Sequence, residues 1–203
     1  MPLIAKHPER NVIRVQLTQN KVLKELTPHE LLELEPFLTV DDHIKGDCLI
    51  RQGDYDLDVL FVLDGILKRA VSNQNAKEMI LRFTSERHME ATYASWRFNK
   101  PAPFSVFAVT KARVAKIPLQ QWVEFINERP RIKEVFETEV MRIMSSIMSH
   151  TITLHLLDAP GRVNRFANKN PDLYTRMPKK ELASYLNLSA ETLSRLKNQG
   201  KIA

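Results

Sequence analysis

Hydrophobic and polar positions change their rhythm several times along this chain. Met1 to Asn20 alternates polar and apolar residues without a sustained apolar run. Thr27-Pro28-His29-Glu30 then has the form of a capping box with proline at the first helical position, opening a short helix through Leu31, Leu32, Leu34 and Phe37. Between residues 38 and 118 the pattern is one of short β-type runs: Asp47 to Arg51, Asp58 to Leu63, Ile66 to Ser72, Glu78 to Phe83, Phe104 to Thr110 and Arg113 to Pro118. Gly46, Gly53, Gly65 and Asn73-Gln74-Asn75 punctuate them, and no long helix interrupts, which predicts an antiparallel β-roll, barrel or sandwich.

From Pro130 to Leu157 the period lengthens to that of a helix about 40 Å long at 1.5 Å per residue. Phe136, Val140, Ile143, Ile147, His150, Leu154 and Leu157 are spaced alternately 4 and 3 apart, an a/d seam of three heptads that suits pairing with a second copy of the chain. Met141, Met144 and Met148 form a flanking stripe expected to cover the β domain. In the last 25 residues, Leu182, Ala183 and Leu186 make a short apolar face and Asn187-Leu188 a turn. Ser189 is positioned to cap a second helix whose inward residues are Leu193 and Leu196 and which stops near Asn198 at Gly200. This is the pattern of a helix-turn-helix. It leaves Glu191, Ser194 and Arg195 facing outward where base edges would be read, since Glu can accept from cytosine and Arg can grip guanine in two bonds. Glu and Arg four apart are also an ordinary solvated helix pair, so context has to decide.

Charge supplies that context. The chain has 30 Lys+Arg against 24 Asp+Glu, but residues 159–203 alone hold nine basic and three acidic side chains, so the excess of +6 sits wholly in this segment. Lys179, Lys180, Ser189 and Lys197 are the expected phosphate contacts, and double-stranded DNA the expected partner. At 203 residues and 43% hydrophobic content the chain can bury one large and one small domain. With no apolar run of about 18 residues and no signal-peptide core, no membrane partner is expected and the protein is expected to be cytoplasmic. Cys48 is the only cysteine, which excludes an intramolecular disulfide, a CxxC zinc site and a four-thiolate cluster; a buried structural thiol is expected. No paired carboxylates in a Gly-rich setting, Ser/His/Asp arrangement, P-loop or metal-ligand spacing is visible, so an enzyme is not expected.

Lys45-Gly46-Asp47-Cys48-Leu49-Ile50-Arg51-Gln52-Gly53-Asp54, Val62-Leu63-Asp64-Gly65, the long helix, Leu157-Asp158-Ala159-Pro160-Gly161-Arg162, and Glu181-Leu182-Ala183 with Glu191-Thr192-Leu193-Ser194-Arg195-Leu196, in this order, resemble the Crp/Fnr transcription regulators over about residues 25–203. The resemblance implies an α+β fold: an N-terminal antiparallel β-roll of the cyclic-nucleotide-binding-like jelly-roll kind, a long dimerisation helix, and a C-terminal helix-turn-helix domain, here lacking a full wing. The expected boundaries are an N-terminal extension over 1–24, the sensor roll over 25–129, the dimerisation helix over 130–157 and the DNA-binding domain over 158–203. It also implies a homodimer, RNA polymerase as a partner, and, because Glu191, Ser194 and Arg195 resemble the Fnr-type recognition helix, a palindrome of TTGAT-like half-sites.

Departures from the family's pattern bear on the effector. Its cyclic-nucleotide binders hold ribose with Gly-Glu and phosphate with Arg-Ser or Arg-Thr; here His88-Met89-Glu90-Ala91 and Pro101-Ala102-Pro103-Phe104-Ser105 occupy the matching stretches. Glu90 and Ser105 persist, but no arginine precedes Ser105, and Ile147 and Met148 stand where an adenine would be met. Cyclic AMP is therefore not expected to act, with Glu90, Ser105, Ile147 and Met148 as the candidate pocket for another, unknown small-molecule effector. The cysteines for iron–sulfur sensing are missing, and six histidines give no spacing that singles out a haem axial pair, so no cofactor is expected. The alternative is a sensor or protein-interaction module that does not bind DNA alone.

Overall fold

The computed structural model describes residues 3–73 and 78–202. The Gln74-Asn75 part of the expected turn lies outside them. Helix α1 (Arg10–Thr18) and helix α2 (Pro28–Leu34) precede the strands, and α2 starts on the expected capping box: Glu30 N–H donates to Thr27 Oγ1 at 3.2 Å and Thr27 N–H to Glu30 Oε2 at 2.7 Å. Strands β1 (Thr39–His43), β2 (Cys48–Ile50), β3 (Asp58–Asp64), β4 (Ile66–Ser72), β5 (Glu78–Ser85), β6 (Met89–Ala91), β7 (Ser105–Ala108) and β8 (Ala112–Pro118) pair into two antiparallel four-stranded sheets, ordered β1-β8-β3-β6 and β2-β7-β4-β5. This is a jelly roll. Short helices α3 (Tyr93–Arg97) and α4 (Leu119–Asn127) join it, and α5 (Pro130–Leu156) leads to α6 (Ala159–Lys169), α7 (Pro171–Arg176), α8 (Lys179–Tyr185) and α9 (Ala190–Asn198). None of the helices among the described residues is long and apolar enough to cross a membrane.

Six of the strands lie where alternation predicts them. The other two, β1 and β6, escape it for a physical reason: β1 is Thr-Val-Asp-Asp-His with only Val40 buried, and β6 is three residues long, too short for a period to register. Between β3 and β4 the chain reverses at Gly65, whose φ of +88° needs glycine and whose missing Cβ would lie 2.3 Å from the Lys111 carbonyl oxygen. Strand β3 is buried from Val59 to Leu63 because α1 and α4 pack against it while β5 of the other sheet faces it. Cys48, expected to be buried, is exposed: it opens β2, which is an edge strand, and its thiol donates to the Ile50 carbonyl at 3.2 Å.

One core joins the roll to the helices on both sides of it in sequence. Trp122 is fully buried with its ring 5.4 Å from Phe61 and 5.5 Å from Phe136, edge to face in both cases. Ile4, Ile13 and Leu17 belong to the same cluster, and Arg14 forks onto Glu35 at 2.6 and 2.8 Å. Ile4, Ile13, Leu17, Val22 and Leu23 of the N-terminal segment thus bury their side chains in the roll's core, the i,i+4 pair Ile13 and Leu17 being the signal that alternation obscured. A second cluster consists of Val163, Phe166, Leu182, Leu186, Leu193 and Leu196 completed by Ile66, Ile80, Phe83 and Val109 of the roll. The C-terminal helices therefore finish their core on β4 and β5.

The long helix corrects the expected division of labour between its two stripes. Phe136 and Ile143 are buried in the chain's own core, and Val140 and Ile147 pack against it. Met141, Met144, Met148, Ile152 and Leu156, at helical spacing, are exposed by 64, 54, 67, 51 and 77%. The stripe expected to face a second copy covers the roll, and the methionine stripe expected to cover the roll is free.

Candidate nucleic-acid interface and ligand sites

Two short helices, α8 and α9, lie where the C-terminal pattern predicts them. Ser189 Oγ accepts from Thr192 N–H at 3.0 Å and caps α9, while Asn187 supplies the turn with a φ of +53°, a conformation asparagine tolerates. Leu193 and Leu196 are buried against α6 and α8, which turns Glu191, Ser194 and Arg195 outward together with Ala190, Asn198 and Gln199. The side chains of Glu191, Ser194 and Arg195 have no hydrogen-bond or ion-pair partner among the described residues. Lys179 and Lys180 at the start of α8 and Lys197 near the end of α9 are exposed as well. Gly200 takes a φ of +65° just beyond α9, closing it where expected.

This domain is held against the roll by ion pairs as well as by apolar contact. Lys68 on β4 meets Glu181 on α8 at 3.0 Å and Glu78 at 2.7 Å; burial works against its charge, but the two carboxylates hold the ammonium above its usual range. Arg176 on α7 meets Glu86 at 2.9 Å. His150 on α5 stacks on Tyr185 with ring centroids 3.7 Å apart and bonds the Tyr185 carbonyl at 3.0 Å. Burial, and then the positive charge of Lys169, push this imidazole down to about 4, so it is neutral at pH 7. His150 is thus a contact between the long helix and the helix-turn-helix, not a seam residue facing a second copy.

The expected effector residues do not form an open pocket. Glu90 is 1% exposed; Arg69 Nε donates to its Oε2 at 2.9 Å, Arg82 Nε lies 3.3 Å from Oε1, and the Thr84 hydroxyl donates to the same oxygen. Burial alone would raise this carboxyl, but Arg69, Arg82 and Thr84 hold it below the usual range, so it stays ionised. Both of its oxygens are engaged by side chains of its own chain. Ser105 accepts from Gln52 N–H at 2.9 Å, and its strand neighbour on β4 is Ala70. Arg69, next to Ala70, lies 3.8 Å from the Phe104 ring and is turned onto Glu90. Ile147 packs on the core and Met148 is exposed.

A cleft that the sequence did not reveal lies between the roll, α5 and α6. It encloses about 290 Å³ and is lined by residues as distant in the chain as Lys21, Arg82, His88, Glu139, His150 and Arg165. No local pattern could have disclosed it, because each wall comes from a different element.

Residues 43–129 match the family model of the cyclic nucleotide-binding domain. No curated protein sequence matches the chain. Among solved structures, a CooA variant from Carboxydothermus hydrogenoformans superposes with a TM-score of 0.70 at 16% identity, covering 89% of this chain and 83% of that one. The c-di-GMP-responsive global regulator CLP from Xanthomonas campestris superposes with a TM-score of 0.69 at 15% identity, covering 86% and 92%. A Crp/Fnr-family transcriptional regulator from Eubacterium rectale gives 0.68 at 13%, covering 88% and 85%. At such identities the likeness is one of fold, and it extends across the roll, the long helix and the C-terminal helices.

Proposed function

We propose that this chain is a homodimeric, sequence-specific DNA-binding transcription regulator. The observation that carries the reading is the outer face of α9: Glu191, Ser194 and Arg195 stand exposed and unpartnered on a helix anchored by Leu193 and Leu196, within a segment that holds the whole net positive charge. Lys179, Lys180 and Lys197 flank that face as phosphate contacts, and Ser189, which caps the helix, sits at its leading edge. Arg195 pairs with a guanine, Glu191 accepts from a cytosine and Ser194 meets a thymine of a TTGAT-like half-site. That proteins of similar fold include CLP, a global regulator that links signalling to gene expression, and a Crp/Fnr-family transcriptional regulator supports this reading.

The dimer forms through the free stripe of α5, Met141, Met144, Met148 and Ile152, with Leu156 at its end; an exposed apolar row on a 27-residue helix is an interaction surface. A two-fold axis there presents two copies of α9 to half-sites roughly one helical turn apart. Cyclic AMP does not act on this protein, because the carboxylate that would take the ribose is bonded to Arg69, Arg82 and Thr84.

Selection from random DNA by the purified protein tests the reading. It should enrich a palindrome, and Arg195→Ala should weaken binding to that site by about 1 to 3 kcal/mol and flatten preference at one G·C pair, while Lys179→Gln should weaken specific and random DNA alike. No enriched palindrome, or an unchanged preference in Arg195→Ala, overturns it in favour of an interaction module. In sedimentation, Met148→Asp should give monomers by placing an unpaired charge at the contact, with the fold retained because Met148 is exposed within one chain.

A further inference from the structure

We propose that the cleft between the roll, α5 and α6 is a binding site for a small molecule carrying two anionic groups, phosphate or carboxylate. Six cations line it: Lys21, Arg82 on β5, Arg142 on α5, and Arg162, Arg165 and Lys169 on α6. The only carboxylate in the lining, Glu139, lies 3.4 Å from Arg142. Arg142 is paired with Glu139 and Arg82 with Glu90, which leaves Lys21, Arg162, Arg165 and Lys169 in the lining with no carboxylate partner among the described residues, an arrangement that favours an anion.

Arg82 marks the floor. Its side chain is 11% exposed, its Nε is engaged by Glu90, and its Nη1 is buried with no hydrogen-bond partner. A guanidinium nitrogen left in that state costs folding free energy that an anion would recover. Elsewhere in the lining, the side chains of Lys21 beside the roll and Lys169 on α6 have no partner among the described residues, and Arg165 reaches only the Ser149 hydroxyl at 3.5 Å. An anion with two charged ends can thus touch Arg82 in the roll and Arg165 and Lys169 in the C-terminal domain at once. His88 and His150 in the lining are held below the ordinary imidazole range by burial, with Lys21 beside the one and Lys169 beside the other lowering them further. At about 290 Å³ the cleft is at the small end of ligand pockets, which suits a diphosphate, a small phosphoester or a dicarboxylate.

Such a ligand would tie the helix-turn-helix to the roll at one angle and so set how two copies of α9 meet DNA. This regulatory consequence rests on the DNA-binding reading; the binding site does not.

Calorimetry with inorganic pyrophosphate and, separately, succinate tests the site and distinguishes phosphate from carboxylate ligands. At least one probe should bind once per chain, about tenfold more weakly in Arg82→Gln and in Lys169→Gln and within about twofold of wild type in Lys100→Gln, an exposed cation outside the cleft. Because Lys169 is exposed, its replacement leaves the fold intact even if Arg82→Gln disturbs Glu90. No saturable binding of either probe below about 1 mM, equal affinity in Lys169→Gln, or a loss in Lys179→Gln in place of Lys169→Gln overturns the proposal. A protein that binds pyrophosphate through Lys169 but selects no DNA keeps the site and refutes the regulator reading.

Discussion

Two charged regions meet at strand β5, and they are built on opposite principles. Around Glu90 the chain supplies the partners from within: Arg69, Arg82 and the Thr84 hydroxyl all converge on one carboxylate that water barely reaches. In the cleft on the other side of Arg82, six cations share one carboxylate. Arg82 belongs to both, with Nε on Glu90 and Nη1 unpartnered. The difference teaches that one buried carboxylate can be closed off by the chain's own arginines, while cations without a carboxylate partner collect where the roll, α5 and α6 meet. A carboxylate whose oxygens are engaged from within supports the fold; cations left without a carboxylate are available to a ligand.

The largest effect expected from this contrast is on stability. Glu90→Ala leaves the fully buried Arg69 guanidinium with no anion, and urea denaturation should show a loss of about 3 to 5 kcal/mol. A loss below about 1 kcal/mol would mean that the cluster is not closed upon itself.

Acid should act next, and through the cleft. His150 stays neutral in the folded chain down to about 4, whereas in the unfolded chain it takes up its proton near 6.5. Stability from this group is therefore complete above about pH 6.5 and falls as the pH drops toward 4, because only the unfolded state gains the proton. Since the ring is only partly buried, solvent screening limits the loss to about 2 kcal/mol. Comparing wild type with His150→Gln at pH 7 and pH 4.5 isolates it: the variant should lack this part of the acid loss.

The smallest effect should have the opposite sign. Neutralising Arg165 and Lys169 together removes like charges that no carboxylate offsets, so in low salt without ligand the double Gln variant should be as stable as wild type or more stable by about 0.5 kcal/mol. A clear destabilisation would show that these side chains hold the domains together rather than stand open.

Much of this molecule was legible in one dimension. Thr27 to Glu30 announced a capped helix, the alternating runs announced six strands of the roll, and Ser189, Leu193, Leu196 and Gly200 delimited the helix that exposes Glu191, Ser194 and Arg195. These are local matters: caps, turns and periods depend on residues within a few positions of one another, so the sequence by itself determines them. Spacing likewise established that residues 130–156 form one helix with two apolar stripes.

Only the tertiary structure decided which stripe is which. Heptad spacing states that a row is apolar without stating what covers it, and the roll took Phe136 and Ile143 while the methionines stayed free. The same holds for charge. That Glu90 is bonded to Arg69, 21 residues away, and that Lys21, Arg82, Arg142 and Lys169 share one cleft, depends on which strand pairs with which and on where α6 docks. Contacts of that kind are set by packing over the whole chain, because the free energy of a buried side chain or an ion pair depends on neighbours that sequence separation does not specify.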